Sequence, residues 1–350
     1  MIIIKRVFKW IILSIVLQLL VLSYFNFIYF PGIGGVIKTT KLGETGVLSP
    51  TPQGYVFKTT KMNIPSNASQ IKLSYNSLYG GYIVDGKLTI VDVNTGAVLK
   101  VFEQENKKVT FFKWLYDRNL VLYSYASTDY SGRIQMLSYD AGTEMDHSYP
   151  EEYMPPLSEI VDIELSPLTN VFYTKVKTSD TRSRIYKYNI MNDFSLIMRT
   201  DLGVRISEAK YSDNLIYQDS SDVIQVRNGM DNTTNTIGLN FNAVLLEIDS
   251  EDNIYAGQLN ASGKVEKIFY GKLGEKIDSW KNVSLDNPVL PDDIKVTPSG
   301  KIYVANSNSN LVLNVLDGKQ IDLKGKYIEV LDGDIAINNN GKLVLLVYQK

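Results

Sequence analysis

Catalysis and metal binding need particular side chains, and this chain of 350 residues is poor in them. It has no cysteine, which excludes disulfides, thiolate metal sites and cysteine nucleophiles. A single histidine, His147, excludes multi-histidine metal sites. What remains is carboxylates. Asp249-Ser250-Glu251-Asp252-Asn253 alternates oxygen ligands but lacks the glycine and closing glutamate of a calcium loop. Asp332-Gly333-Asp334 and Pro291-Asp292-Asp293 are shorter stretches of the same kind, and all three read as solvated hairpin turns. A carboxylate pair for glycoside hydrolysis is defined by its separation in space, which residue order does not carry. No catalytic, cofactor or metal residue is therefore assigned, and no cofactor is expected.

Binding chemistry is better represented. Residues 145–158 mix tyrosine, methionine, proline and acid around Tyr149 and Tyr153, and residues 279–291 do the same around Trp280. On exposed loops these three aromatics would anchor a protein or peptide partner. Alternatively each stretch is an outer strand and a crossing, with its rings packed inside. Four sequons, at Asn67, Asn232, Asn260 and Asn282, fit surface loops.

The first elements to position are at the N-terminus. Trp10 to Phe30 holds 21 residues without a charge, about 31 Å as a helix, which matches the hydrocarbon core of a bilayer. Lys5, Arg6 and Lys9 precede it and the next basic residue is Lys38. The positive-inside rule then predicts a cytoplasmic N-terminus over 1–9, a membrane-spanning helix over 10–30 and an extracytoplasmic remainder. The apolar run is too long, and too aromatic at its end, for a typical cleaved signal peptide. A Gly-, Thr- and Pro-rich tether over 31–52, with a possible short strand at Val36–Leu42, leads to a domain over 53–350. The whole chain carries −2, and residues 31–350 carry 33 basic against 38 acidic side chains. That balance argues against nucleic acid as a partner.

The domain is written in repeats. Asp293 to Ala305 reads as two apolar strands around a Pro298-Ser299-Gly300 turn. Similar hairpins turn at Gly80-Gly81, Asn119, Asn170, Asn214, Asn253, Gly300 and Gly341. Glycine or asparagine at each suits a turn that wants positive φ. The spacing averages about 43 residues, the period of a four-stranded propeller blade. Only nine residues follow Gly341, so strands from the N-terminal side must complete the last blade, and Tyr55, Val56 and Phe57 are expected beside Leu343, Val344 and Leu345. The expected fold is an all-β propeller of seven blades after one transmembrane helix; six or eight blades, or two small β domains, are the alternatives.

Ser166-Pro167 and Thr297-Pro298-Ser299-Gly300-Lys301-Ile302-Tyr303-Val304 resemble the Ser-Pro-Asp-Gly-x-x-Ile-Ala-Phe repeat of TolB-type, WD40-like propellers. Proteins related to dipeptidyl peptidase IV use the same repeat. The resemblance implies a propeller and says almost nothing about function. A peptidase of that kind would need a Gly-x-Ser-x-Gly elbow and a downstream histidine, and the chain has neither. The sialidase Asp-box and the Gly-His and Trp-Asp signatures of true WD40 repeats are also missing. The expected function is a membrane-anchored extracytoplasmic platform that binds a protein or peptide without catalysis. The alternatives are an enzyme acting on a glycan or peptide at the central channel, and a structural surface protein. Inward carboxylates with raised pKa would favour the enzyme, and a bare channel the platform.

Overall fold

A computed structural model describes residues 54–166, 171–189, 193–219, 221–305 and 310–349, together with Gln18. Apart from Gln18, these belong to the second of the two units into which the chain divides, Pro52–Lys350. The predicted membrane span and tether and the Asn170 turn lie outside the described residues, Gln18 again excepted. Among the described residues no helix is long and apolar enough to cross a membrane.

The unit is a seven-bladed β-propeller, each blade a four-stranded antiparallel sheet. After β1 (Gly54–Asn63), the first blade is β2 (Ser69–Leu73), β3 (Tyr79–Val84), β4 (Lys87–Asp92) and β5 (Val98–Phe102). The second is β6 (Lys107–Trp114), β7 (Leu120–Ser127), β8 (Arg133–Asp140) and β9 (Met145–Tyr153). The third is β10 (Glu159–Ser166), β11 (Val171–Lys177), β12 (Arg182–Asn189) and β13 (Asp193–Asp201). The fourth is β14 (Ile206–Glu208), β15 (Asn214–Gln218), β16 (Ile224–Asn228) and β17 (Thr234–Thr236). The fifth is β18 (Ala243–Ile248), β19 (Asn253–Leu259), β20 (Val265–Lys272) and β21 (Lys281–Val289). The sixth is β22 (Ile294–Val296), β23 (Ile302–Val304), β24 (Leu311–Asn314) and β25 (Gln320–Asp322). The seventh takes β26 (Lys326–Val330), β27 (Asp334–Asn339) and β28 (Lys342–Gln349) from the C-terminal end and β1 as its outermost strand.

The ring closes as the count of residues after Gly341 requires. Tyr55 pairs with Tyr348, Val56 with Val347 and Phe57 with Leu346, so the expected partners share a blade, with the pairing centred three residues further along.

Strand composition follows radial position. The second strand of each blade is sandwiched between neighbouring sheets, and β7 is accordingly buried at every position from Val121 to Ala126. The fourth strand is at the rim, and β21 has no buried residue. Seven apolar clusters fill the seven interfaces between adjacent blades. Ile83 and Leu88 of the first blade meet Phe112 and Trp114 of the second, and Met62 and Leu345 of the seventh meet Leu73 and Val91 of the first. Burial by interlocking sheets, with no single central core, is what lets so many short strands be stable.

Two turn assignments move. Gly80 and Gly81 lie inside β3, and the turn is Ser74–Leu78. Their glycine identity answers packing: a Cβ on Gly80 would stand 2.5 Å from Met62 Sδ, and one on Gly81 would stand 3.0 Å from Ile90 and Phe112. Gly300 and Gly341 are left-handed, at φ 79° and 82°, whereas Asn119, Asn214 and Asn253 do not take positive φ, and at the last of these turns Asp252 does so at φ 61°.

Candidate functional site

First strands of adjacent blades lie side by side around the channel. Opposite the third residue of the second strand, six blades place a polar side chain on the first strand. Lys72 faces Gly81, Lys113 faces Leu122 and Glu164 faces Tyr173. Ser207 faces Ile216, Glu247 faces Tyr255 and Glu329 faces Ala336. In five of these blades a register shift, one extra residue in the first strand, precedes that position. Bulges re-aim side chains, and here they turn polar groups toward a shared level in the ring.

Contacts at this level run from blade to blade. Lys113 Nζ donates to Glu164 Oε1 at 2.5 Å and stands 3.9 Å from Asp162 Oδ1. Lys210 Nζ approaches Glu164 Oε2 at 4.0 Å and lies 5.5 Å from the centre of the Tyr116 ring. Ser207 Oγ donates to Glu247 Oε1 at 3.0 Å, and the Leu73 N–H donates to Glu329 Oε1. Lys72 Nζ sits 5.1 Å above the centre of the Phe111 ring.

Burial decides protonation here. It pushes the Glu329 carboxyl up to about 7, against the opposing pull of the Leu73 N–H and Lys72. Burial, then the negative charge of Glu164, raises Glu247, and burial also raises Asp162. Glu208, fully buried with no hydrogen-bond partner on either oxygen, is raised strongly by desolvation. Lys72 is lowered, first by burial and then by Lys113. Lys113 is itself raised: burial opposes its charge, but Glu164, Asp162 and Glu247 outweigh it.

Above the ring, at the end where first and second strands connect, opens a cavity of about 300 Å³. Lys72, Lys113, Lys210, Glu164, Glu247, Glu329 and Asp332 supply its charge, and Tyr75, Trp114, Tyr116, Pro298 and Leu331 are among its walls. Its size and its mix of apolar wall with a few convergent polar groups suit a ligand side chain.

The acidic turns are self-contained. Asp249 is buried, not solvated, because its carboxylate accepts from the Glu251 and Asn253 N–H groups, the Asn253 amide and the Tyr255 hydroxyl. Asp332 accepts from the Ser299 N–H and hydroxyl. Among the described residues no group of three or more His, Asp or Glu side chains is arranged to hold a metal ion.

The three aromatics singled out from sequence are not brought together. Both stretches that carry them form outer strands, β9 and β21. Tyr149 points inward between the second and third blades, edge-on to Phe172 and Tyr188 at 5.4 and 5.2 Å. Trp280, just ahead of β21, is 6% exposed between the fourth and fifth blades, and its ring covers Gly271. Tyr153 is 71% exposed at the end of β9, beside Arg133 and at the opposite end of the ring from the cavity. The channel-mouth residues were overlooked, although a signal exists: a polar residue between apolar ones just before a turn, as in Phe112-Lys113-Trp114, Ile163-Glu164-Leu165, Leu246-Glu247-Ile248 and Ile328-Glu329-Val330.

No protein-family model matches the chain, and no curated protein matches it. Among solved structures, a chain from the crystal structure of a mitotic checkpoint complex is similar, with TM-score 0.51 and 9% identity over 89% of this chain and 99% of that one. At that identity the likeness shows the fold alone, and 1042 solved chains match, so sharing this fold discriminates little about function. The chain carries a seven-bladed β-propeller built from four-stranded repeats.

Proposed function

We propose that this propeller is a non-catalytic binding platform for a protein or peptide, with the channel mouth as its main binding face. The observation that carries the reading is the way the charged ring is used. Glu164, Glu247 and Glu329 each accept a hydrogen bond from the adjoining blade, so these carboxylates brace a preformed concave surface. Preorganisation of that kind lowers the ordering cost of binding. Tyr75, 43% exposed at the rim, and Tyr116 supply aromatic surface of the sort that dominates protein interfaces. Membrane anchoring through residues 10–30, with the propeller outside the cell, is part of the proposal and rests on the apolar run and the basic residues before it. The kinship with TolB-type repeats rests on the Pro298-Ser299-Gly300 hairpin.

The test is capture from the native cells with a tagged full-length chain. Tyr75→Ala and Tyr116→Ala should reduce recovery of the partner at least tenfold, with Tyr153→Ala close to wild type. Loss confined to Tyr153→Ala would move the binding face to the other end of the ring.

A second reading, an enzyme acting on a glycan or peptide at the channel, is favoured by the raised carboxyls of Glu329, Glu247 and Asp162; Glu329, held near 7, is poised to donate or accept a proton at neutral pH. Hydrolysis of glycan or peptide substrates that disappears in Glu329→Gln would support it.

A further inference from the structure

We infer that the channel mouth recognises an acidic peptide segment, seating one of its Asp or Glu carboxylates on Lys72. The inference rests on the platform reading and adds the chemistry of the partner.

Three cations line the cavity, and two are already matched. Lys113 pairs with Glu164 and Asp162, and Lys210 approaches Glu164. Lys72 forms no ion pair and donates no hydrogen bond among the described residues, and its Nζ lies over the Phe111 ring. A ring face stabilises an ammonium without using up its donors. Glu329 supports the Lys72 charge only through space: its Oε1 accepts from the Leu73 N–H, and among the described residues no carboxylate forms an ion pair with Lys72. A half-buried ammonium left this way lacks a direct anion contact, and its three N–H donors are available to one.

The surroundings select the anion's carrier. Leu115, Ile248, Val296, Pro298 and Leu331 contribute apolar wall, so the anionic group must arrive with apolar neighbours able to displace water. A cavity of about 300 Å³ admits a side chain and is too small for a folded domain. A basic residue in the same place would meet Lys72 and Lys113 together. Burial, which favours the neutral forms of Glu247 and Glu329, further reduces the negative charge an incoming carboxylate would face.

The experiment is selection of displayed random hexapeptides on the purified full chain in detergent micelles. Retained peptides should be enriched in Asp or Glu at one position next to apolar residues, and replacing that acid with its amide should weaken binding at least tenfold. Lys72→Met should abolish the enrichment and Lys72→Arg should keep it, which controls for folding. Retained peptides without acidic preference, or acidic preference unchanged in Lys72→Met, would overturn the assignment while leaving the platform standing. Retention of no peptide by wild type would overturn both.

Discussion

Thr60 Oγ1 donates a 2.8 Å hydrogen bond to the carbonyl oxygen of Leu343, joining residues 283 apart in sequence. It lies where β1 runs antiparallel to β28, so the propeller is closed by its two chain ends in one sheet. Everything at the channel mouth depends on this closure, because the first and seventh blades meet there through Leu73 and Glu329.

Removing β1, residues 54–63, should therefore open the ring. β28 would become an unpaired edge, and Met62 would leave the interface it fills with Leu73 and Leu345. Size-exclusion chromatography and thermal melting should show aggregation and a lower Tm. A truncated domain that stays monomeric with an unchanged Tm would show that the other strands suffice.

Closure was legible in sequence because counting is enough: nine residues after Gly341 cannot make a four-stranded blade. Blade number was legible from turn spacing, since every blade repeats one hairpin. The Gly80-Gly81 turn was misplaced because glycine serves two purposes, left-handed turns and close packing, and sequence does not say which. The channel mouth is illegible in sequence for a related reason. Aromatics such as Tyr149 look alike whether they fill an interface between blades or face solvent, while the informative residues, single polar ones in apolar strands, gain meaning only when seven strands converge.

Tyr149→Ala and Trp280→Ala should each cost about 3–5 kcal/mol, the usual penalty for truncating a buried aromatic. Tyr153→Ala, exposed on β9, should stay within about 0.5 kcal/mol of wild type. Urea unfolding of the three variants reads this directly. Small losses at Tyr149 and Trp280 would return those rings to the list of partner contacts.

Gly271→Ala should destabilise by about 1–3 kcal/mol, the range for overpacking a core. The added Cβ would stand 2.4 Å from Trp280 Cδ1, and an indole held between two blades has little room to yield. Combining it with Trp280→Ala should recover part of the loss, and strict additivity would argue against that contact.

Glu329 gives a pH signature. Its folded pKa, about 7, lies above the ordinary 4.5, so the folded state binds the proton more tightly than the unfolded chain. The stabilisation is complete below pH 4.5 and is lost as pH rises through 7; from the 2.5-unit difference it amounts to about 3 kcal/mol. Glu329→Gln should remove that component, flattening stability between these limits and gaining relative to wild type at pH 8. Unfolding midpoints across pH 4–8 would check it. Parallel curves for the two proteins would mean that the carboxyl titrates in the ordinary range.

If partners dock at the channel mouth, photo-cross-linking in intact cells should trap them there. A photoreactive amino acid would replace Tyr75, at the rim of the cavity, and in a second strain Tyr130, which is 67% exposed at the opposite end. The account predicts a discrete protein adduct from position 75 and none from position 130. An adduct from position 130 with none from position 75 would contradict it.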